Sequence, residues 1–408
     1  MTGEGVAHLA NGDAVFVPGT IAGERLLADV VGGGRPRRGK LVQLLAESET
    51  RVVPACPDVQ RCGGCDFMHM SSVARETWHR RHALRALEGT LGKLGVTLPE
   101  PTVHAAPRDL GYRTRARLHV AANGRHIKVG YRGARSHEIV AVQTCVVLDE
   151  ALAQFVPVLP ELLAGSRGDG EATIALGANR LPVVDLRFSG RLGDQVFGAI
   201  DEAVRVGRIA GARISLDGAR EPLVFGDPRP VVRAADDRDL LVAAGGFAQA
   251  SDAAGALLAR RVAELARMAK PAKAIELFAG SGTLTVVLAP EVGQLTAIER
   301  DENAVLAMRD NLRARGLDVK VRAEDAEALE LPKVDLVVLD PPRGGATGAV
   351  QALVKARPKR IVYVSCNALT LARDLAVLVA DRYRLESLDF FDVFPQTSHV
   401  EVVASLVR

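Results

Sequence analysis

The chain has 408 residues, 48% of them hydrophobic and 25% charged, with a net charge of +3; this excludes a disordered or strongly polyionic protein and leaves room for two or three buried cores. No apolar run reaches membrane-spanning length, and the opening Met1-Thr2-Gly3-Glu4-Gly5 lacks the basic-then-apolar pattern of a secretory signal. A cytoplasmic protein with reduced thiols and no membrane partner is therefore expected.

Lys and Arg outnumber Asp and Glu 20 to 15 in residues 1–150 and fall behind 32 to 34 in the remainder. The basic excess gathers in residues 32–40, 75–85 and 112–117, a pattern that suits phosphate contacts but that solvated charged faces also produce. Residues 5–45 alternate short apolar runs, among them Val15-Phe16-Val17, with Gly, Asn and Pro turn signals. They predict a small OB-like antiparallel β-barrel over residues 1–50. Cys56, Cys62 and Cys65 follow as C-x5-C-x2-C, with Cys145 further on. In a reducing compartment these four read as ligands rather than disulfides, and their spacing serves zinc or an iron–sulfur cluster equally. Residues 72–87 have helical spacing, whereas 115–121, 127–131, 139–148, 181–188 and 212–217 read as strands. Residues 51–245 are accordingly expected to form a mainly β central domain that carries the cysteines.

From about residue 246 helix and strand alternate, with strands expected at 274–278, 295–299, near 319, 334–339 and 361–364. This predicts a doubly wound, Rossmann-like α/β domain over 246–408, in which ligands bind beyond the carboxyl ends of the strands. The first such end is Glu276-Leu277-Phe278-Ala279-Gly280-Ser281-Gly282-Thr283, where Gly280 and Gly282 let the backbone approach a ligand. Glu299, Asp325 and Asp340 follow the next three strands. An acid after each strand, with only two glycines in the first loop, fits S-adenosylmethionine better than a dinucleotide; any one of these acids could instead be a helix cap.

Asp340-Pro341-Pro342-Arg343 stiffens the fourth loop, which suits a planar substrate base, but Arg343 stands where amino-group methyltransferases place a stacking aromatic. Cys366, in Tyr363-Val364-Ser365-Cys366-Asn367, supplies what ring-carbon methylation needs. Carbon 5 of uracil becomes nucleophilic only after a thiolate adds to carbon 6, and the carbon 5 proton must later leave to a base. Glu401, at the start of the last strand, is the candidate base.

Cys56, Cys62, Cys65 and Cys145, Phe247-Ala248-Gln249, the Glu276-to-Gly282 loop, Asp340-Pro341-Pro342-Arg343, Ser365-Cys366-Asn367, Phe394-Pro395-Gln396-Thr397 and His399-Val400-Glu401 span nearly the whole chain. With these motifs the chain resembles the RNA uracil-5 methyltransferases, in the branch with an N-terminal TRAM domain and an iron–sulfur cluster. The resemblance implies that Cys366 is the nucleophile, Glu401 the base and Asp340 a contact to the uracil. It implies cofactor contacts from Gln249, Phe278, Gly280, Gly282, Glu299, Asp325 and Asp340, and a 4Fe–4S cluster on Cys56, Cys62, Cys65 and Cys145, with zinc the alternative. Ser251 and Glu276 depart from the Asn and Asp common in the family. RNA is the implied partner, 23S ribosomal RNA ahead of transfer RNA, and no protein partner is evident. A cytosine-5 RNA methyltransferase and a non-catalytic RNA-binding protein are the rival readings.

Overall fold

The computed structural model describes residues 3–9, 11–31 and 36–408. Met1 and Thr2 of the opening segment, and residues 32–35 of the first basic cluster, lie outside the described residues. Strands β1 (Gly5–His8), β2 (Ala14–Val17), β3 (Arg25–Val31) and β4 (Arg37–Ala46) pair in the order β1-β2-β4-β3. Val15 and Val17 point inward, as strand alternation requires. The expected all-antiparallel barrel is a mixed sheet: β2 and β4 run parallel, because two chain reversals through β3 bring β4 back in the direction of β2. The ladder among the described residues is open, with β1 and β3 at its edges.

Helix α1 (Ser72–Leu91) starts at Ser71, whose hydroxyl accepts from the Ala74 amide at 3.4 Å. Its apolar side, Ala83, Ala86, Leu87 and Leu91, packs into the C-terminal core rather than the central one. Strand β5 (Thr102–His104) likewise joins the C-terminal sheet as its edge. Residues 51–245 are thus shared between two cores.

The central sheet contains β6 (Arg115–Asn123), β7 (His126–Arg132), β8 (Ile139–Ala141), β9 (Arg167–Leu176), β10 (Pro182–Arg191), β11 (Gly211–Leu216) and β12 (Leu223–Gly226), in the order β12-β11-β10-β9-β6-β7-β8. Helices α2 (Glu150–Phe155), α3 (Leu159–Leu162) and α4 (Val196–Arg205) cover one face, burying Leu152, Phe155, Leu159, Val196 and Ile200 against Leu118, Ile174 and Leu186. These helices, and β9 at the heart of the sheet, are absent from the sequence reading. The start of β9, Arg-Gly-Asp-Gly-Glu, has the composition of a turn. Its glycines are there because β10 lies close: a Cβ on Gly170 would meet the Arg187 carbonyl at 2.4 Å. The strand expected over 139–148 stops at Ala141.

A small hairpin, β13 (Val231–Arg233) and β14 (Asp239–Leu241), leads into the C-terminal layers. These are α5 (Asp252–Ala269), β15 (Lys273–Leu277), α6 (Thr285–Leu288), β16 (Gln294–Glu299), α7 (Glu302–Arg315), β17 (Lys320–Ala323), β18 (Leu336–Leu339), α8 (Thr347–Ala356), β19 (Arg360–Ser365), α9 (Ala368–Ala380), β20 (Arg384–Phe391) and β21 (Glu401–Val407). The sheet order is β17-β16-β15-β18-β19-β21-β20-β5, with β15 to β19 parallel and β21 inserted antiparallel between β19 and β20. The doubly wound expectation holds for this half. Among the described residues no helix is long and apolar enough to cross a membrane.

Candidate active site

One rim of the C-terminal sheet collects the candidate residues. Glu299 ends β16, Phe278 follows β15, Asp340 follows β18 and Cys366 follows β19, all at carboxyl ends. Because β21 runs the other way, its first residue, Glu401, reaches the same rim. Ser365 pairs with Val402, so extending the register by one places Cys366 opposite Glu401. Directly opposed residues of an antiparallel pair project from the same face.

The loop after β15 is shaped for a ligand. Phe278 takes φ of 61° and Gly280 and Gly282 take 56° and 94°. A Cβ on Gly282 would meet the Met308 side chain at 2.9 Å, whereas one on Gly280 would meet nothing within 4 Å, so the backbone at Gly280 borders open space. Glu299 holds this turn by accepting from the Gly280 amide at 2.9 Å and the Asp301 amide at 2.8 Å. Ser281 and Asn311, which the sequence did not flag, tie the loop to the 241–243 segment. Ser281 Oγ accepts from the Ala243 amide at 3.2 Å, and the Asn311 side chain bridges Leu241 and the Ser281 carbonyl. Only the pattern of a buried Asn on an amphipathic helix could have drawn attention to Asn311.

Glu276, 1% exposed, leaves Oε2 without a partner. Burial above all, against the Thr285 hydroxyl and with the neighbouring Asp340 and Glu299, raises its pKa to about 8. An orphaned carboxyl oxygen beside an open glycine turn fits a cationic group such as the amino-acid end of S-adenosylmethionine, whose charge would favour the ionised form. Gln249 is half-buried near the start of α5. Ser251, the departure beside it, caps that helix through the Ala254 amide. Asp325 is exposed and turns one oxygen to the Glu327 amide at 3.0 Å, the local cap that a lone acid in this position can form.

Around Cys366 the electrostatics oppose ionisation. Burial raises its pKa to about 11, with Glu401 and Asp340 adding to the rise and Arg343 lowering it by charge and hydrogen bond. Burial likewise holds Glu401 at about 8 and Asp340 at about 7. Arg343 is the cation that faces this acidic group. Its carbonyl is gripped by the Asn367 amide group and the Thr370 hydroxyl, each at 3.3 Å. The following turn is fixed by Asp374, which accepts from the Ala346 amide at 2.9 Å and the Tyr363 hydroxyl at 2.7 Å. The rim therefore holds a thiol that needs activation, a carboxyl group opposite it and a guanidinium that favours the ionised form of both.

Both groups must ionise for the thiol to attack and the carboxylate to accept a proton, and both pKa values are raised. We expect kcat/KM to climb with pH from 6, by at least about tenfold per unit below 8. A pH profile flat from 6 to 9 would contradict these environments.

Away from this rim, Cys56, Cys62, Cys65 and Cys145 line one pocket with Met68, Arg113, Tyr131, Val142, Val146 and Val147. All four are free thiols. Burial pushes Cys65 up to about 12 and raises Cys56 and Cys62, and the mutual repulsion of the thiolates adds to each rise. Four thiols facing one pocket fit a soft metal centre, whose positive charge would favour their thiolate forms. No group of three or more His, Cys, Asp or Glu among the described residues stands in ligating geometry, so the structure brings these sulfurs to one pocket without setting coordination positions.

Residues 321–408 match the family described as tRNA (Uracil-5-)-methyltransferase. The chain is 33% identical over 427 aligned positions to the 23S rRNA (uracil(1939)-C(5))-methyltransferase RlmD of Chromohalobacter salexigens, covering 100% of this chain and 87% of that protein. It belongs to the RNA uracil-5 methyltransferase family. The RlmD of Pseudomonas fluorescens is 32% identical, with coverage of 98% and 91%. The fold resembles that of the Pyrococcus abyssi tRNA (uracil-54, C5)-methyltransferase, solved with S-adenosyl-L-homocysteine, at a TM-score of 0.76 and 24% identity over 99% of this chain and 100% of that one. In this member of the family, Cys366, Glu401 and Arg343 stand on one rim with the glycine turn.

Proposed function

We propose that this protein transfers a methyl group from S-adenosylmethionine to carbon 5 of a uridine in 23S ribosomal RNA, in the cytoplasm. The observation that carries the chemistry is the opposition of Cys366 and Glu401, the register position next after the Ser365–Val402 pair. Arg343 lowers the cost of ionising Cys366. The Cys366 thiolate adds to carbon 6 of the uracil, forming an S–C bond and an enolate whose carbon 5 is nucleophilic. The cofactor supplies an electrophilic methyl group, which carbon 5 takes. Glu401 then accepts the carbon 5 proton, the S–C bond breaks, and Cys366 leaves as thiolate. Asp340, half-buried at the same rim, is the proposed contact to the uracil and to the cofactor, with Gln249, Phe278, Gly280, Gly282, Glu299 and Asp325 completing the cofactor contacts.

Residues 1–50 are proposed as a TRAM-like RNA-binding unit, 51–245 as the cysteine-bearing central domain and 246–408 as the methyltransferase domain. Cys56, Cys62, Cys65 and Cys145 would hold a 4Fe–4S cluster, which supplies cross-links between distant segments while the reaction needs no electron transfer. Cys62→Ser is expected to weaken iron retention by at least about tenfold and to yield poorly folded or weakly RNA-binding protein. A soluble, fully RNA-binding Cys62→Ser variant that has lost turnover alone would contradict a structural role.

Nucleoside mass spectrometry tests the substrate. Undermethylated ribosomal and transfer RNA pools are incubated separately with the protein and S-adenosylmethionine. New 5-methyluridine in ribosomal RNA is the expected result; product in transfer RNA alone would overturn the assignment to 23S RNA and keep the chemistry. New 5-methylcytidine would transfer the reading to cytosine. Against that outcome, Cys366 is the only cysteine at the rim among the described residues, since the other four line the separate cysteine pocket.

A further inference from the structure

The segment that carries Glu401 into the rim is held from outside the C-terminal domain. Residues 392–400, between β20 and β21, form a loop whose members Pro395, Gln396 and Thr397 are buried although they belong to no strand or helix. A buried loop needs partners for its backbone. Here the residue next to Cys65 provides them. The Gln396 carbonyl accepts from the Asp66 amide at 2.9 Å and the Phe67 amide at 3.0 Å. The Asp66 carboxylate returns the contact, accepting through Oδ2 from the Ser398 amide at 3.0 Å and the Ser398 hydroxyl at 2.9 Å. Asp66 therefore clamps the loop at two points, the second only three residues before Glu401.

Other groups fix the loop less directly. The Thr397 carbonyl meets His79 Nε2 of α1 at 2.8 Å, and Gln396 Nε2 donates to the Asp109 carbonyl at 3.1 Å. The Arg113 guanidinium, which also lines the cysteine pocket, lies 5.6 Å from the Phe394 ring centroid. Of all these contacts, the Asp66 clamp alone joins a residue covalently next to a pocket cysteine to the approach of Glu401. Asp66 touches none of the reacting atoms, so its action on the reaction must pass through Ser398 and the loop.

We propose that Asp66 is a positioning residue for the catalytic base: by fastening Ser398 it sets where Glu401 meets the carbon 5 proton, and it ties that placement to the folding of the cysteine segment. This rests on the uracil-5 reading of the rim. The clamp acts on the step Glu401 performs, after the S–C bond has formed. When the base is displaced, Cys366 still adds and carbon 5 is still methylated, but the adduct resolves slowly.

The test compares wild type with Asp66→Ala, Asp66→Asn and Ser398→Ala in the cysteine-site-loaded protein, using the RNA pool in which the wild type produces 5-methyluridine. Wild-type product must come first; its absence would sink the uracil-5 reading itself and not the clamp. In Asp66→Ala we expect kcat to fall about tenfold to a hundredfold, the cost of a misplacement on the scale of an ångström. KM for RNA should stay within about threefold, and an RNA–protein adduct carrying the labelled methyl group should accumulate on denaturing gels. Asn keeps one acceptor for Ser398 and should restore part of the rate, while Ser398→Ala should show the same adduct at a smaller loss. Iron content and the visible absorption of the cluster should match wild type in all three. Undiminished kcat in Asp66→Ala, a lower kcat without adduct, or iron loss in proportion to rate loss would each overturn the proposal. If Asp66→Ala does not fold, Ser398→Ala and Asp66→Asn decide by the same gel.

Discussion

Cys366→Ala is expected to produce no detectable methylated nucleoside and no covalent RNA–protein species, a loss of at least about 10⁴-fold in turnover. Without a thiolate, carbon 6 receives no electrons, carbon 5 remains unreactive, and no other rim group can substitute, since Glu401, Asp340 and Glu276 are carboxyl groups, far poorer nucleophiles than a thiolate, whose ionised forms burial further disfavours. The fold should tolerate the change. Cys366 is half-buried in a bend, its side chain is not among the core residues, and the helix that follows is capped by Asn367 through the Leu369 amide. Binding of S-adenosylmethionine, measured by calorimetry, should be kept because the glycine turn and Glu299 are anchored independently of Cys366. Product formed at the wild-type rate by Cys366→Ala would remove covalent catalysis.

Glu401→Gln is expected to slow turnover by about 10²- to 10⁴-fold while leaving the early steps in place. Glutamine matches glutamate in shape and cannot take the carbon 5 proton, so the methylated adduct should persist, resistant to denaturant and carrying both RNA and the new methyl group. At the same time the substitution removes the carboxylate that contributes to the raised pKa of Cys366. Thiol alkylation by a small electrophile should therefore begin at lower pH in Glu401→Gln than in wild type. The two readouts separate the roles: adduct persistence reports the lost base, and the alkylation profile reports the lost neighbouring charge. A variant that turns over normally, or that stalls before any adduct forms, would show that another group removes the proton.

Much of this site is legible in the chain because its residues follow strand ends in sequence. An acid after β16, a glycine turn after β15 and a cysteine after β19 can be placed at one rim as soon as the strands are parallel and alternate with helices. Asp325 differs from the others at the rim. It follows a strand as the others do, yet it is exposed and its carboxylate serves a local amide, because β17 is the sheet's outermost strand and packs on one side only. The cysteine spacing points to a shared pocket, and the structure collects all four there, but what the pocket holds depends on chemistry that spacing does not encode.

By itself the sequence determined the alternating α/β half and marked Cys366, Glu401 and the four pocket cysteines as candidates, since each lies in a short motif of a few residues. Tertiary structure alone decided that α1 and β5 belong to the C-terminal core, that β9 completes the central sheet through its glycines, and that β21 enters antiparallel so that Glu401 faces Cys366. It alone brought Asp66 to Ser398, 332 positions away in the chain. The physical reason is common to these cases. A segment's partner is set by which buried surface and which unpaired backbone group it satisfies, and those partners come from distant parts of the chain.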